Sequence, residues 1–166
     1  MKTLLAFIIV IFVYGYAHGL VKSKLCPKKY DNIIRGISSS KDSIVLIRLG
    51  KGNLSVNWNN SKNQIVEDIL FKDLKYRYKK YENYLIDQIT NLSETSASTC
   101  GKADKLVIGD LAFLIIQKIN HLPIFEITKV QFDSIEKGCP YPVGYFDVIS
   151  KDRSKIKERV KLHLLH

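Results

Sequence analysis

Signatures of the common enzyme classes are missing from this sequence. It contains no Gly-x-Ser-x-Gly elbow and no glycine-rich phosphate loop, which excludes the usual motifs of serine hydrolases and of nucleotide-binding loops. Histidine and cysteine are scarce, and the only pair at ligand-like spacing, His163 and His166, lies in a terminal turn where side chains fray. We therefore predict neither a metal nor a cofactor, leave the catalytic residues unassigned, and favour a binding role over an enzymatic one.

Cysteine occurs only three times, as Cys26, Cys100 and Cys139. An oxidising compartment favours one disulfide among them, and each of the possible pairings is open from composition alone. Cys100 precedes Gly101 in a polar segment, and Cys139 precedes Pro140 in a rigid turn, so both belong to turns that can meet at one end of a domain. We predict the pair Cys100 with Cys139, which leaves Cys26 as a free thiol or a site for intermolecular pairing.

Long apolar runs are also rare, and the longest uninterrupted one extends from Leu4 to Val13. A single positive charge precedes it and the small-x-small exit Ala17-His18-Gly19 follows, which is the layout of a secretory signal peptide. The run is too short for a membrane span, which needs about 20 apolar residues. We predict a signal peptide over residues 1–19, a mature domain over residues 20–166 without a stable membrane anchor, and a secreted or periplasmic location.

Acidic residues are fewer than basic ones: the chain has 16 Asp and Glu and 26 Lys and Arg, which gives a formal net charge of +10. Removal of the leader takes away only Lys2, which lowers the net charge by one unit to +9. A positive surface favours acidic partners such as anionic lipid, nucleic acid, acidic glycan or an acidic protein face. The alternative is a solvated basic surface that only aids solubility.

Glycine and proline, which interrupt helices, are absent from residues 61–100. Apolar side chains recur there near the helical period, which predicts a long helix that begins at an N-cap Ser61, or two stacked helices with a break near Tyr78. The segment from Ile108 to Asn120 is apolar nearly all round, with Asp110 as its predicted N-cap. It should form the central, most buried helix.

The remaining segments are shorter. Further helices are predicted from Pro27, over residues 143–150 and over residues 152–165, and a strand is predicted over residues 44–49. Residues 53–63 are rich in asparagine and should form a surface loop, and residues 124–132 an irregular segment with some strand character. Together these patterns predict a mainly α fold: a single small domain of four to six packed helices with one or two short strands.

The candidate interaction surface rests on one tryptophan and on basic helices. Tryptophan occurs once, as Trp58 in the predicted loop; exposed tryptophans often anchor interfaces, and the alternative is a cap over the core. Basic residues accompany the tyrosines near Tyr78, and they outnumber acidic ones by six to two between positions 151 and 161. The surface consists of Trp58, Lys79, Lys80, Arg153, Lys157 and Lys161.

These observations favour an exported, non-enzymatic binding protein, monomeric or dimeric, whose protein partner is unknown. An immunity- or inhibitor-like protein that sequesters an enzyme is one example. A second hypothesis is an exported hydrolase with dispersed catalytic acids such as Asp110 or Glu126, supported by His121. A third is a binder of anionic surfaces, whether glycan, lipid or nucleic acid, through the basic helices.

Three asparagines, Asn53, Asn59 and Asn91, each begin an Asn-x-Ser triplet. In a eukaryotic secretory pathway the first two would sit in the predicted surface loop. Three triplets are a mild excess over chance in a chain this rich in Asn and Ser. The sequence leaves glycosylation at these positions open.

Overall fold

The computed structural model describes residues 43–50 and 52–165. The predicted leader, Cys26 and the helix predicted from Pro27 lie outside the described residues. The described chain begins with a β-hairpin, adds a short third strand and then runs through six helices. None of the helices in these ranges is both long and apolar enough to cross a membrane.

An antiparallel sheet with the strand order β1-β2-β3 opens the fold. Ile47 pairs with Val56 across the first two strands, and Trp58 pairs with Ile65 across the next two. All four side chains are buried, because alternate residues of a strand share one face. That face packs against the helices that follow. The strands are β1 (Ile44–Arg48), β2 (Ser55–Asn59) and β3 (Gln64–Ile65).

The prediction of a mainly α fold with one or two short strands is wrong, because six helices accompany a three-stranded antiparallel sheet and the fold is mixed α/β. The error comes from residues 53–63, whose asparagines predict a loop but which contain β2. Their polar groups find distant partners: within β2, Asn57 Nδ2 donates to Asp68 Oδ2 at 2.6 Å, and directly after it Asn60 Oδ1 accepts from the N–H of Ser98 at 2.8 Å. Such bonds allow asparagines to alternate with the buried Val56 and Trp58 in a strand.

Six helices follow the sheet. The predicted break near Tyr78 is present, because Arg77 separates the first two helices. The predicted N-cap Ser61 is wrong, since β3 intervenes; Asp68 caps the first helix, and its Oδ1 accepts from two N–H groups of the first turn. The helices are α1 (Ile69–Tyr76), α2 (Tyr78–Gln88), α3 (Ile108–Asn120), α4 (Ile124–Thr128), α5 (Tyr145–Lys151) and α6 (Arg153–Leu164).

The central helix α3 is buried along most of its length, as its composition predicts. Every residue from Ile108 to Ile116 is buried. The predicted N-cap is wrong: Val107 occupies that position, and Asp110 lies in the first turn, where its Oδ2 accepts from the Val107 N–H at 3.0 Å. The helix ends at His121, whose backbone is left-handed with φ 52°.

Helix α4 occupies the first part of residues 124–132, which are predicted as irregular with some strand character. The prediction is wrong for Ile124–Thr128, whereas residues 129–132 form neither helix nor strand. Thr128 Oγ1 donates to the carbonyl of Ile124 at 2.8 Å. Arg159 on α6 donates from Nη1 to the carbonyl of Ile127 at 3.0 Å. The short helix therefore depends on a cation 32 residues away, which no local periodicity reveals.

Candidate functional site

Two members of the predicted interaction surface are buried, so the structure corrects their assignment to that surface. Trp58 is fully buried in the core, where its indole Nε1 donates to the carbonyl of Ser98 at 2.9 Å. Arg153 is only 8 % exposed, and its guanidinium lies 2.5 Å from the carboxylate of the fully buried Asp110. Each side chain therefore contributes to the stability of the core, because a hydrogen-bond or ion-pair partner satisfies its polar group.

The four lysines of that surface reach solvent, but they are divided between two places. Lys79 and Lys80 begin α2, whereas Lys157 and Lys161 lie on α6. Lys157 Nζ pairs with Asp87 near the end of α2 at 2.8 Å. At 1.5 Å per residue, that point is about 11 Å along the helix axis from the first two lysines. Lys157 is thus separated from Lys79 and Lys80, and its charge is neutralised by an acid.

The residues of the hydrolase hypothesis are also kept apart. Asp110 is fully buried in the first turn of α3. His121 follows the other end of the same helix, about 16 Å away at 1.5 Å per residue. Glu126 is exposed on α4, and its Oε2 faces His163 Nδ1 at 3.9 Å. The fold does not assemble these groups around one substrate position.

The described chain instead has a cleft between the end of α3, helix α4 and the segment from Pro140 to Tyr145. Its volume is about 340 Å³, within the range of ligand and side-chain pockets. No charged side chain occurs among the described residues that line it. We name it the aromatic cleft, and its principal lining residues are Gln117, Phe125, Phe132, Tyr141, Pro142 and Tyr145.

The rings of the aromatic cleft pack on one another around Tyr145. The Tyr141 and Tyr145 rings are stacked, with centroids 5.6 Å apart and an angle of 18° between the planes. The Phe132 ring lies 5.7 Å from Tyr145 in a tilted arrangement. Such pairs add to the stabilisation from buried area. These ring contacts hold the cleft wall in place without a ligand.

The disulfide also holds the segment that forms this wall of the cleft. Cys100 and Cys139 are bonded, with Cα atoms 5.7 Å apart, so the predicted pairing is confirmed. The bond joins the residue before Pro140 to a loop that is tied in turn to the sheet, because the Cys100 N–H donates to Asn63 Oδ1 at 2.9 Å. Pro140 and Tyr141 are therefore anchored to the β-hairpin side of the fold.

Two amide side chains, Gln117 and Gln131, line the aromatic cleft, and Gln117 is the one held in place by a cleft tyrosine. The hydroxyl of Tyr145 donates to Gln117 Oε1 at 2.6 Å, which fixes the orientation of the amide. Within the described part of the chain, no acceptor is bonded to Gln117 Nε2. The side chain therefore offers two N–H donors to a ligand.

A second, more polar cavity of about 560 Å³ lies beside the aromatic cleft and shares Gln117, Pro140 and Tyr141 with it. Its wall includes an ion pair, in which Lys118 Nζ lies 2.7 Å from Glu67 Oε1. The hydrogen bond and the charge of Lys118 lower the pKa of Glu67. The two adjoining cavities thus differ in charge: the lining of the aromatic cleft is uncharged, whereas the second cavity is lined by side chains of both charge signs.

Comparisons with protein-family models, curated proteins and solved structures find no match to this chain. The cleft residues are absent from the surface predicted from sequence. One local signal for them is the Pro140-Tyr141-Pro142 run directly after Cys139, which places a ring in a rigid turn beside a disulfide. Gln117 and Phe125 carry no comparable signal, because only the fold brings α3 and α4 to this turn.

The three Asn-x-Ser asparagines differ in their surroundings. Asn53 has an exposed side chain in the turn between β1 and β2. Asn59 is buried, and its Oδ1 accepts from the N–H of Lys62 at 2.9 Å. Asn91 Nδ2 donates to Gln88 Oε1 at 2.6 Å. A glycan on Asn59 or Asn91 would displace these hydrogen bonds, whereas a glycan on Asn53 would not.

Buried tyrosines make the fold sensitive to alkaline pH. Burial, reinforced by the nearby charge of Glu82, raises the pKa of Tyr78 to about 12, although the side chain of Asn120 acts in the opposite direction. Burial also raises the pKa of Tyr141 and of Tyr145. Because the folded-state pKa is above the unfolded value of about 10, the stabilisation by the neutral phenols is complete below pH about 10 and is lost as the pH rises through the folded pKa.

We therefore expect the free energy of unfolding to fall above pH about 10, and part of the tyrosine to ionise only as the protein unfolds. Tyrosinate absorbance and circular dichroism, recorded against pH on one sample, measure both events. Full ionisation of all the tyrosines near pH 10 with the circular dichroism unchanged would contradict the burial of these phenols.

Proposed function

We propose that this chain is an exported binding module that holds a protein partner in the aromatic cleft. The observation that carries the proposal is an uncharged, aromatic cavity bordered by exposed apolar side chains. Export is supported by the leader pattern in residues 1–19 and by the Cys100–Cys139 disulfide, because such bonds form and persist in oxidising compartments.

The exposed border of the cleft favours a protein over a small molecule. Phe125 at the mouth is 60 % exposed. Ile135 and Val143 are exposed as well, and they lie beside the cleft because Ile135 forms a β-bridge with the lining residue Pro142. A ligand enclosed by the cavity would leave these side chains in water, whereas a protein face would cover them.

The chemistry of the cleft indicates what the partner presents. An apolar or aromatic side chain would fill the uncharged cavity against Phe132 and Tyr141. The main-chain carbonyl next to that side chain would accept from Gln117 Nε2. Aromatic side chains in fully desolvated pockets dominate the binding energy of many interfaces, so a short segment of the partner would supply most of the affinity.

A library of random linear peptides, screened against immobilised residues 20–166 with the disulfide intact, tests this function. We expect enrichment of peptides with an aromatic or large aliphatic residue, and about 10-fold weaker binding or more to Phe125→Ala, which removes an anchor at the mouth. Leu162→Ala is the matched control, since Leu162 is also 60 % exposed but does not line the cleft. Enriched peptides that bind both variants equally would place the binding site elsewhere.

A further inference from the structure

Helix α1 exposes an apolar side chain at each of its ends, and its second end forms a corner with α2. Tyr76 is 90 % exposed and Ile69 is 61 % exposed. They are seven residues apart, so they lie two turns apart on one face of the helix. Lys72 lies between them and is exposed, whereas Phe71 and Leu74 face the core. Asp73 also lies between them and is exposed, but it is ion-paired with Arg77. The outer face of α1 is therefore apolar at both ends, with the cation of Lys72 and a neutralised acid in the middle.

The same corner carries a local excess of positive charge. Between positions 72 and 80 the chain has five basic residues and one acidic residue, Asp73. Asp73 is ion-paired with Arg77, and Lys79 Nζ lies 2.7 Å from Glu82. Among the described residues, no carboxylate lies within ion-pair distance of Lys72, Lys75 or Lys80. Lys80 Nζ lies 5.6 Å from the centre of the Tyr81 ring, and the charges of Lys72 and Lys75 contribute to the lowered pKa of Glu67. None of the three ammonium groups is held in an ion pair with a described residue, so each can still bind an anionic partner.

We propose that this corner, residues 69–80, binds the surface of an anionic lipid bilayer. Tyr76 and Ile69 would enter the headgroup region, where the amphipathic ring of tyrosine is favoured. The lysines would extend their ammonium groups to lipid phosphates while their stems remain on apolar surface. The net charge of +10, or +9 without the leader, attracts the whole molecule to such a surface.

A membrane fits this corner better than a nucleic acid does. Proteins that bind single strands use a positively charged groove along which bases stack on aromatic rings. The corner is instead a protruding helix junction, because Tyr76 is 90 % exposed. Ile69 on the same face has no role in base stacking or phosphate binding, but it adds apolar contact with a bilayer. The surface is also distinct from the aromatic cleft, which Ile69 and Tyr76 do not line.

Vesicle sedimentation with residues 20–166, disulfide intact, tests the proposal. The probes are vesicles of pure phosphatidylcholine and vesicles in which about one third of the lipid is phosphatidylserine. We expect binding to the anionic vesicles only, with a marked loss between low salt and about 1 M salt, where the Debye length falls to about 3 Å. Equal binding to both vesicle types, or none to either, would overturn the proposal.

Charge-matched variants separate the corner from net charge. Lys72→Gln with Lys80→Gln should reduce partitioning about 30-fold, on the basis of the attraction of each lysine to an anionic leaflet. Lys151→Gln with Lys161→Gln removes the same charge from exposed positions at the end of α5 and in the last turn of α6 and should have a much smaller effect. Equal losses in the two variants would mean that only net charge acts, which would overturn the proposal.

An apolar variant and a polyanion complete the test. Tyr76→Ser should weaken vesicle binding about 10-fold, whereas Leu162→Ser, at an exposed apolar position on α6, should not. Circular dichroism shows whether each variant is folded.

Binding to heparin or single-stranded DNA that depends on Lys72 and Lys80, without vesicle binding, would overturn the membrane assignment. Phe125→Ala should leave vesicle binding intact, so failure of this proposal and failure of the cleft function give different results.

Discussion

Replacement of Asp110 by alanine should lower the free energy of unfolding by about 3–5 kcal/mol, because it leaves the charge of Arg153 buried without a partner. Asp110 is fully buried and Arg153 is 8 % exposed. The carboxylate lies 2.5 Å from the guanidinium on one oxygen and 2.9 Å from Lys102 Nζ on the other. After truncation, the guanidinium keeps hydrogen bonds to the Ile89 carbonyl and to Ser150 Oγ, each at 3.2 Å, but neither acceptor carries a negative charge.

The expected loss is large because this ion pair joins three parts of the chain. Arg153, the first residue of α6, also donates from Nη1 to the carbonyl of Ile89 after α2 at 3.2 Å. Asp110 itself belongs to α3. Its removal therefore disturbs the contacts among α2, α3 and α6 rather than one surface bond.

Denaturant unfolding of the oxidised domain measures this prediction, with Asp147→Ala as the control because Asp147 is an exposed acid on α5. That control should change stability by no more than about 0.5 kcal/mol. The double variant Asp110→Leu with Arg153→Leu should be more stable than Asp110→Ala, since it removes the buried guanidinium together with the carboxylate. Only Lys102, whose side chain is 15 % exposed, then lacks its ion pair. A loss below about 1 kcal/mol for Asp110→Ala would show that the pair is not buried in solution.

Removal of the disulfide, by Cys100→Ser with Cys139→Ser, should lower the free energy of unfolding by about 4 kcal/mol in the chain-entropy model. The bond closes a loop with a sequence separation of 39 residues, and without it the unfolded chain gains the conformational freedom of that loop. Thermal and denaturant unfolding of the variant and of the oxidised parent measure the difference.

The disulfide variant should also lose binding at the aromatic cleft. Pro140 and Tyr141, which follow Cys139 and line the cleft, would no longer be held to the Cys100 loop. We expect weaker binding of any peptide selected on the oxidised protein, at a temperature where the variant remains folded. Unchanged affinity in a folded variant would show that ring packing around Tyr145 is sufficient to position the wall.

Several elements follow from local pattern alone. The apolar residues of 108–120 predict the buried helix α3, and the tyrosine-rich stretch predicts a break near Tyr78, which Arg77 provides. The turn chemistry around Cys100 and Cys139 predicts their bond. These features depend on residues within a few positions of one another, or on the limited choice among three cysteines.

The failures have a common physical cause. Trp58 is buried because its indole finds the Ser98 carbonyl, 40 residues away, and Arg153 is buried because it finds Asp110, 43 residues away. A tryptophan in an asparagine-rich segment and an arginine in a basic helix both suggest a surface when such partners are unknown. Tertiary hydrogen bonds remove the cost of burying their polar groups.

Gly109 is a further residue whose role depends on tertiary contacts. Its position beside Asp110 marks the entry to α3, which the sequence indicates. The structure adds that a Cβ there would lie 2.3 Å from the carbonyl oxygen of Ile89 and 2.8 Å from Arg153 Nη1. Only glycine permits this approach of α3 to the end of α2, and the contact is invisible until both helices are placed.

By itself, the sequence determined the buried helix α3, the break between α1 and α2, the disulfide and the excess of positive charge, because periodicity, turn chemistry and composition act over short distances. Only the tertiary structure decided that an asparagine-rich segment forms β2, that Asp110 and Arg153 are buried, and that Gln117, Phe125 and Tyr141 meet in one cleft. These outcomes depend on which distant groups become neighbours, since burial of a polar or aromatic side chain is stabilising only where its partner is present.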